Sequence, residues 1–268
     1  MSASFLSSNH LELRARARAA FGSLEPSGPM SDAQLKAEVA RLGFYPYLVP
    51  SQYGGQAAKV EVLAICVLRE ELAYRNAAAD SLFAVQGLGS HPVLLAGSDA
   101  QKNELLPKVA KGEVLFAFAL TEPEAGSDVG ALSTKAERTS TGWKLNGQKR
   151  FISNAGVATH YTVFARTGAG PKGISAFVVP ADAKGFRVSK QLELMGEHPI
   201  GELQLTDCEV TAGALLGEEG QGMKLALSTL DIFRSTVAFT TALSKEIETS
   251  RTDSTAQMNT PCSAPPRV

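Results

Sequence analysis

The sequence predicts an α+β multidomain protein in which a helical N-terminal region, an antiparallel β region and a short C-terminal helical segment follow one another. Apolar residues recur at helical spacing as far as about residue 110, and short segments rich in β-branched and aromatic residues follow from about 114 to 210. Helical spacing returns after Gly217. The length of 268 residues allows one large domain or two modest ones.

The N-terminal region contains three clear helical patterns. Ser31 and Asp32 can cap a helix over 33–42, and Gly43 supplies its stop. The segment 60–74 is apolar around most of its surface, which predicts a largely buried helix. A third helix is predicted over 99–111, ending at Gly112.

The middle region reads as strands separated by turn residues. Strand-like segments lie at 143–145, 161–165, 174–179, 186–188 and 203–205. Asn146-Gly147 between apolar-polar alternations predicts a hairpin turn. A compact antiparallel barrel or sandwich is therefore expected.

Composition and charge exclude several classes of protein. Twenty-six basic and 27 acidic residues give a net charge of −1, so the chain offers no broad positive field for nucleic acid or an anionic membrane. No apolar run approaches the length of a membrane span. The cysteines and histidines are dispersed, which indicates no metal site, and His91 beside Pro92 is interpreted as a turn residue. We expect a protein of the cytoplasm, or of the mitochondrial matrix if the source is eukaryotic.

Four strings carry a more specific signal. They read FALTEPEAGSD at 118–128, GWKLNGQKRFISN at 142–154, GISAFVVP at 173–180 and GEEGQGMKLALSTLDIFR at 217–234. In this order and spacing they resemble the FAD-dependent acyl-CoA dehydrogenase family, in which the first string typically reads VTEPGAGSD and the second ends in WITN. The resemblance runs with few gaps from about residue 30 to 238.

The resemblance implies a division into four parts. These are an all-α N-terminal domain over 1–116, an antiparallel β-barrel middle domain over 117–216, and the first helix of an incomplete C-terminal helical bundle over 217–243, followed by a divergent tail over 244–268. The tail is rich in Ser, Thr, Pro and charge and has no aromatic or long apolar residue groups to pack, so we expect it to be disordered or poorly ordered. The abrupt change after residue 238 suggests a truncated or frameshifted product.

The resemblance also assigns cofactor contacts to the first two strings. Reduction of a flavin places negative charge at the N1/C2-carbonyl edge, so donors are needed there. In the first string the resemblance places Phe118, Leu120 and Thr121 at that edge, with Ser127 beside the cofactor phosphates and the acyl-CoA chain. Gly126 is expected to allow close approach of the backbone.

The second string departs from the family at two positions. Phe151 stands where the family carries Trp and would still pack on the isoalloxazine face. Ser153 stands where Thr lies beside flavin N5 and keeps the hydroxyl group. With Ile152 between them, these residues complete the implied FAD site.

Two charged groups have alternative interpretations. Asp231 and Arg234 lie on one helical face; the resemblance implies substrate binding, with Arg234 near the CoA portion, whereas the residues alone also fit an ion pair on a solvated face. The cluster Glu122, Glu124 and Asp128 is interpreted as a solvated acidic loop rather than as a source of a general base.

The implied function is oxidation of an acyl-CoA thioester to the 2,3-enoyl-CoA, with hydride transfer to FAD. In the family the base is a Glu or Asp of the C-terminal bundle, and nothing places Glu246 or Glu248 at the flavin, so we expect the chain to lack this carboxylate. Electron-transfer flavoprotein is the implied electron acceptor, and the homo-oligomer typical of the family is in doubt here. The alternatives are a non-catalytic FAD- or CoA-binding or interaction protein, and a flavin oxidase or monooxygenase on the same scaffold.

Overall fold

The computed structural model describes residues 6–24, 30–194 and 198–237. Within these ranges, helices fill the N-terminal part and return after the strands. They are α1 (Ser8–Phe21), α2 (Asp32–Arg41), α3 (Val62–Arg75), α4 (Ala77–Ala96), α5 (Asp99–Lys111) and α6, whose described residues are 222–237. The helices predicted from the sequence agree with α2, α3 and α5 to within two residues. The predicted tail and residues 238–243 lie outside the described residues.

Local sequence fixes the ends of α2 and α5. The Ser31 hydroxyl accepts the backbone N–H of Gln34, and the Gln34 side chain accepts the backbone N–H of Ser31. Ser98 and Gln101 form the same reciprocal pair at the start of α5. Gly112 ends α5 with a φ of +71°, a conformation that a residue without Cβ adopts at little cost.

The strands form one sheet in the described part of the chain. They are β1 (Phe116–Ala119), β2 (Lys135–Arg138), β3 (Gly142–Ser153), β4 (His160–Arg166), β5 (Ile174–Pro180), β6 (Phe186–Gln191), β7 (Ile200–Thr211) and β8 (Leu215–Leu216). Their order is β6-β7-β3-β2-β4-β5-β8, and β1 pairs with β4.

The prediction of an antiparallel barrel is wrong in two respects. β1 and β2 both pair with β4 in parallel, and among the described strands the path from β6 to β8 does not close. β5 takes one edge of β4 along its whole length, so β1 and β2 share the other edge in succession. The sheet is therefore mixed and open. Parallel pairing depends on long connections that local turn chemistry does not reveal.

The Asn146-Gly147 hairpin is also wrong, because both residues lie inside the twelve-residue strand β3. Asn146 pairs with Lys135 of β2, and Gly147 pairs with Leu205 of β7. The register shifts between Leu145 and Gly147, where a Cβ on Gly147 would lie 2.4 Å from the Thr134 hydroxyl oxygen. Glycine is therefore needed here because Thr134 lies close to the strand, and not because the chain turns.

His91 lies in the middle of α4 and not in a turn, which corrects the sequence interpretation. It is 4% exposed, and its ring packs edge-on against Phe233 of α6 with 5.5 Å between centroids. Burial lowers the pKa of His91 to about 4, so the imidazole is neutral at neutral pH. Pro92 lies inside α4 as well, although proline tends to break a helix.

Two glycines bring α4 close to its neighbours. A Cβ on Gly89 would lie 2.8 Å from Cβ of Phe116 and 2.9 Å from the backbone of Ala117 in β1. A Cβ on Gly87 would lie 2.5 Å from the ring of Phe233 and 2.9 Å from the side chain of Leu48. The first contact is with a strand, whereas the second is with side-chain ends that can shift.

We expect Gly89→Ala to destabilise the protein by about 1–3 kcal/mol, because β1 cannot move away without disturbing the sheet. Gly87→Ala should cost less, since Phe233 and Leu48 can rotate. Unfolding in urea, followed by circular dichroism, measures both free energies. Alanine normally favours a helix over glycine, so a Gly89→Ala protein as stable as the unmodified one would contradict this packing.

Candidate functional site

A pocket of about 460 Å³ lies where α4, α6 and the sheet meet. It brings together seven of the eight residues predicted as cofactor contacts. The pocket is lined by Val85, Leu88, Phe118, Leu120, Thr121, Gly126, Ser127, Val129, Phe151, Ser153, Leu227 and Leu230. Residues from two distant strings of the sequence thus converge on one site.

The remaining predicted contacts lie outside this lining. Ile152 is 2% exposed and belongs to the sheet core. Asp231 and Arg234 form an ion pair of 3.1 Å on the exposed side of α6, with 66% and 77% of their side chains exposed. The two residues thus form the ion pair on a solvated face that the sequence left open as an alternative. Leu227 and Leu230 are the residues of α6 that line the pocket.

The polar side chains of the pocket come from the sheet and the loop after β1, together with apolar side chains such as Phe118 and Leu120. The hydroxyl groups of Thr121, Ser127 and Ser153 have no hydrogen-bond partner among the described residues, and neither do the backbone N–H groups of Thr121 and Ser127. The opposite wall consists of aliphatic side chains from α4 and α6. Such a site suits a flat group with polar atoms along one edge.

Gly126 lies on the polar side of the pocket in open space. Among the described residues, no heavy atom lies within 4 Å of the position that its Cβ would take. The chain itself therefore makes no close approach at Gly126. Glu124 and Asp128, on either side of it, are exposed, as expected for a solvated loop.

Phe151 has a backbone conformation that is rare for a bulky residue. Its φ is +56°, in the left-handed region, and its side chain is 54% exposed at the pocket. It lies in an irregularity of β3, where the register with β7 shifts between Lys149 and Ile152. Strain of this kind costs about 1–3 kcal/mol and is common where a side chain must be presented to a ligand.

A buried ion pair behind the pocket was missed by the sequence interpretation. Lys149 Nζ lies 2.8 Å from Glu122 Oε1 and also donates to the Leu120 carbonyl oxygen at 3.2 Å. The Lys149 side chain is fully buried and that of Glu122 is 2% exposed. The assignment of Glu122 to a solvated acidic loop is therefore wrong.

The alternation of buried and exposed side chains along β3 could have predicted the burial of Lys149. Trp143, Leu145 and Lys149 stand at positions of the same parity, so the pattern that buries the first two also buries the lysine. A buried lysine needs a carboxylate partner. Glu122 meets this need and also accepts the backbone N–H groups of Ser133 and Thr134 at 2.6 and 3.0 Å.

Both members of the pair are charged at neutral pH. Burial by itself raises the pKa of Glu122, but the charge of Lys149 and the hydrogen bonds from the 133–134 backbone outweigh it and bring the pKa to about 2. Burial lowers the pKa of Lys149 to about 8, against the opposing influence of Glu122. The pair thus fixes the loop 122–134 onto β3.

Hydrogen bonds link β1 to β3, although the two strands are not ladder neighbours. The Asn154 amide donates to the Phe116 carbonyl oxygen at 3.1 Å, and the Arg150 backbone N–H donates to the Thr121 carbonyl oxygen at 2.9 Å. Together with the bond from Lys149 to Leu120, they bracket the irregular stretch at Phe151. The walls formed by β1 and β3 are thereby held at a fixed separation.

The described part of the chain contains neither a metal-ligating cluster nor a membrane-crossing helix. In residues 6–24, 30–194 and 198–237, no group of three His, Cys, Asp or Glu side chains is arranged to hold a metal ion. In the same ranges, no helix combines the length and the apolar character needed to cross a membrane.

Two family models match adjacent parts of the chain. The acyl-CoA dehydrogenase N-terminal domain matches residues 12–113, and the acyl-CoA dehydrogenase middle domain matches residues 117–208. The chain is similar to a probable acyl-CoA dehydrogenase of Mycobacterium leprae, with 38% identity over 244 residues. That alignment covers 87% of this chain and 62% of the relative, so the chain spans less than two thirds of the relative's length.

Solved structures agree with these matches. The fold is similar to butyryl-CoA dehydrogenase from Megasphaera elsdenii, with a TM-score of 0.81, 32% identity and coverage of 88% of this chain and 65% of the other. It is also similar to glutaryl-CoA dehydrogenase in its glutaryl-CoA complex, with a TM-score of 0.79, 30% identity and coverage of 88% and 63%.

We expect Lys149→Met to destabilise the protein by about 3–5 kcal/mol, because it leaves the Glu122 carboxylate buried without its counter-charge. Lys184→Met is the matched control, since it breaks a Lys–Glu pair in which the lysine side chain is 81% exposed. Its effect should stay within about 0.5 kcal/mol. Urea unfolding measures both, and equal losses would show that burial of the pair does not matter.

Acid should weaken the fold through Glu122. Its pKa is about 2 in the folded chain and about 4.3 when unfolded, so its contribution is complete above about pH 4.5 and is lost as the pH falls toward 2. The double variant Glu122→Gln/Lys149→Met lacks this group. We expect its unfolding free energy to fall less steeply between pH 5 and 2 than that of the unmodified chain; parallel curves would refute the assignment.

Proposed function

The chain belongs to the acyl-CoA dehydrogenase family, and from this premise we propose that the pocket between α4, α6 and the sheet binds the isoalloxazine ring of FAD. The observation that carries the proposal is the set of unpartnered donors along one wall, opposite aliphatic side chains. A flavin has the complementary form, since its polar atoms lie along the pyrimidine edge of a flat ring system.

Named residues have specific parts in this proposal. Thr121 and Ser127 supply donors to the polar edge of the ring and to the phosphates, and the Ser153 hydroxyl orients the ring near N5. Phe151 packs on a face of the flavin ring, and this contact explains why its backbone keeps the left-handed conformation that directs the side chain into the pocket. The open space at Gly126 accommodates a bound group at a point where any side chain would intrude.

We propose an acyl-CoA thioester as the substrate and its oxidation to the 2,3-enoyl-CoA as the reaction. FAD, when bound, supplies the hydride acceptor. The aliphatic wall from Val85, Leu88, Leu227 and Leu230 excludes water and offers an apolar surface to an acyl chain. The named activities of the solved relatives, on butyryl-CoA and glutaryl-CoA, support this substrate class. In the whole protein, we propose electron-transfer flavoprotein as the electron acceptor.

Removal of the substrate α proton requires a base that the described pocket does not provide. No Asp, Glu or His is among its lining residues within the described ranges. Glu122 is on the neighbouring loop, but its carboxylate is buried against Lys149 and has a pKa of about 2. We therefore propose that the base comes from outside the described residues and that this part of the chain binds FAD without completing the reaction.

FAD binding can be tested at Gly126. We expect Gly126→Val to leave the unfolding free energy within about 0.5 kcal/mol, because its side chain enters open space. The same side chain should weaken FAD binding at least about tenfold by occupying the polar side of the pocket. Flavin fluorescence titration measures the affinity. Gly213→Val is the control, since its nearest neighbour is 3.8 Å away and it lies outside the pocket.

If Gly126→Val and Gly213→Val bind FAD equally well, the pocket is not the flavin site. If the unmodified chain itself does not bind FAD, the proposed function fails.

We expect the purified chain with FAD to reduce an artificial electron acceptor no faster with butyryl-CoA than without it, because the described pocket lacks a base and nothing in the sequence places Glu246 or Glu248 at the flavin. Absorbance of the acceptor follows the reaction. Turnover above the blank would contradict this prediction. Its loss in Glu246→Gln/Glu248→Gln would then place the base on that segment.

A further inference from the structure

Arg150 lies directly behind Phe151, the strained aromatic residue of the pocket. The carbon at the centre of its guanidinium group is 4.9 Å from the centroid of the Phe151 ring, within the range of a cation–π contact. Phe151 lines the pocket and Arg150 does not. The Phe151 ring is therefore in contact with the guanidinium group and also lines the pocket.

Arg150 is held in this position from two directions. Its backbone N–H donates to the Thr121 carbonyl oxygen at 2.9 Å, and its Nε lies 3.3 Å from Glu202 Oε1 on β7. The Glu202 side chain is 15% exposed and that of Arg150 is 43% exposed. Gln148 donates to the other carboxylate oxygen of Glu202 at 3.4 Å. The guanidinium is thus paired with Glu202 beside the Phe151 ring.

This arrangement has an electrostatic consequence for a bound flavin. Two-electron reduction with uptake of one proton leaves the flavin ring with one negative charge. A positive charge one aromatic layer away stabilises that form more than the neutral oxidised form, because the region between them is a ring and not water. The carboxylate of Glu202 acts in the opposite direction and offsets part of the effect.

We propose that Arg150 is a positioning residue for the flavin. It supports the Phe151 ring against the flavin face and places a positive charge behind that ring, so that reduced FAD is bound more tightly than oxidised FAD. The inference rests on the proposed function, since it requires FAD in the pocket. Beyond that function, it assigns to Arg150, which does not touch the flavin, an influence on the reduction potential of the bound flavin.

The test is the reduction potential of FAD bound to the full chain, measured by dithionite titration against a redox dye. We expect Arg150→Met to weaken binding of reduced FAD about tenfold more than binding of oxidised FAD. For a two-electron couple this is a potential lower by about 30 mV. Arg150→Lys keeps the charge and should retain most of the potential, whereas Glu202→Gln removes the opposing charge and should raise it.

Lys184→Met is the control for a lost surface charge, because Lys184 is exposed and outside the pocket lining. Its potential should equal that of the unmodified chain. Thermal unfolding of the apoprotein shows whether each variant folds, and Glu202→Gln keeps the test independent of the folding of Arg150→Met.

Equal potentials for Arg150→Met and the unmodified chain would overturn the inference. So would a fall in Arg150→Lys as large as that in Arg150→Met, because charge would then not be the cause. These results differ from failure of the proposed function, in which the unmodified chain does not bind FAD at all.

Discussion

The buried ion pair between Lys149 and Glu122 is the interaction on which the pocket depends. It joins the middle of β3 to the loop that follows β1, and this loop carries Thr121 and Ser127. A lysine in a sheet core is tolerated only with a counter-charge and satisfied donors. Because Glu122 also accepts two backbone N–H groups, the pair fixes a whole loop and not only a side chain.

The strain at Phe151 is possible because its surroundings are fixed on both sides. The Lys149 side chain and the Arg150 backbone bond to the end of β1, and Asn154 bonds to its beginning. Between these anchors the chain cannot relax into a regular strand without losing one of them. The cost of a left-handed phenylalanine is thus borne by the bonds that bracket it, and its ring stays directed at the pocket.

Much of the helical part could be predicted from the sequence because its signals are local. Ser31 with Gln34, Ser98 with Gln101, and Gly112 act within a few residues of the helix ends that they define. The pocket residues were predicted in a different way, from the resemblance of the sequence motifs at 118–128 and 142–154 to those of the family. Whether these residues form an FAD site stays a prediction.

The errors share a physical cause, which is that the deciding partner lies far away in sequence. Gly147 is accommodated by Thr134 and by strands on both sides, so the turn propensity of Asn146-Gly147 is overridden. The parallel pairing of β1 depends on β4, some forty residues later. Glu122 could have been assigned correctly from the sequence. The alternation of β3 places Lys149 on the buried face, and a buried lysine calls for a carboxylate partner elsewhere in the chain.

The position of α6 completes the aliphatic side of the pocket, to which α4 also contributes. Arg69 of α3 forms a bidentate pair with Asp80 of α4, and its Nη1 donates to the Thr236 hydroxyl of α6 at 2.7 Å. Phe233 fills the space left by Gly87. These contacts fasten the C-terminal part of α6 to the helices, whereas its first residue, Gly222, lies against Ile174 and Ser175 of β5. Between these two ends, Leu227 and Leu230 line the pocket. A site for an amphipathic ring thus arises because the sheet supplies one wall and the helical layer supplies the other.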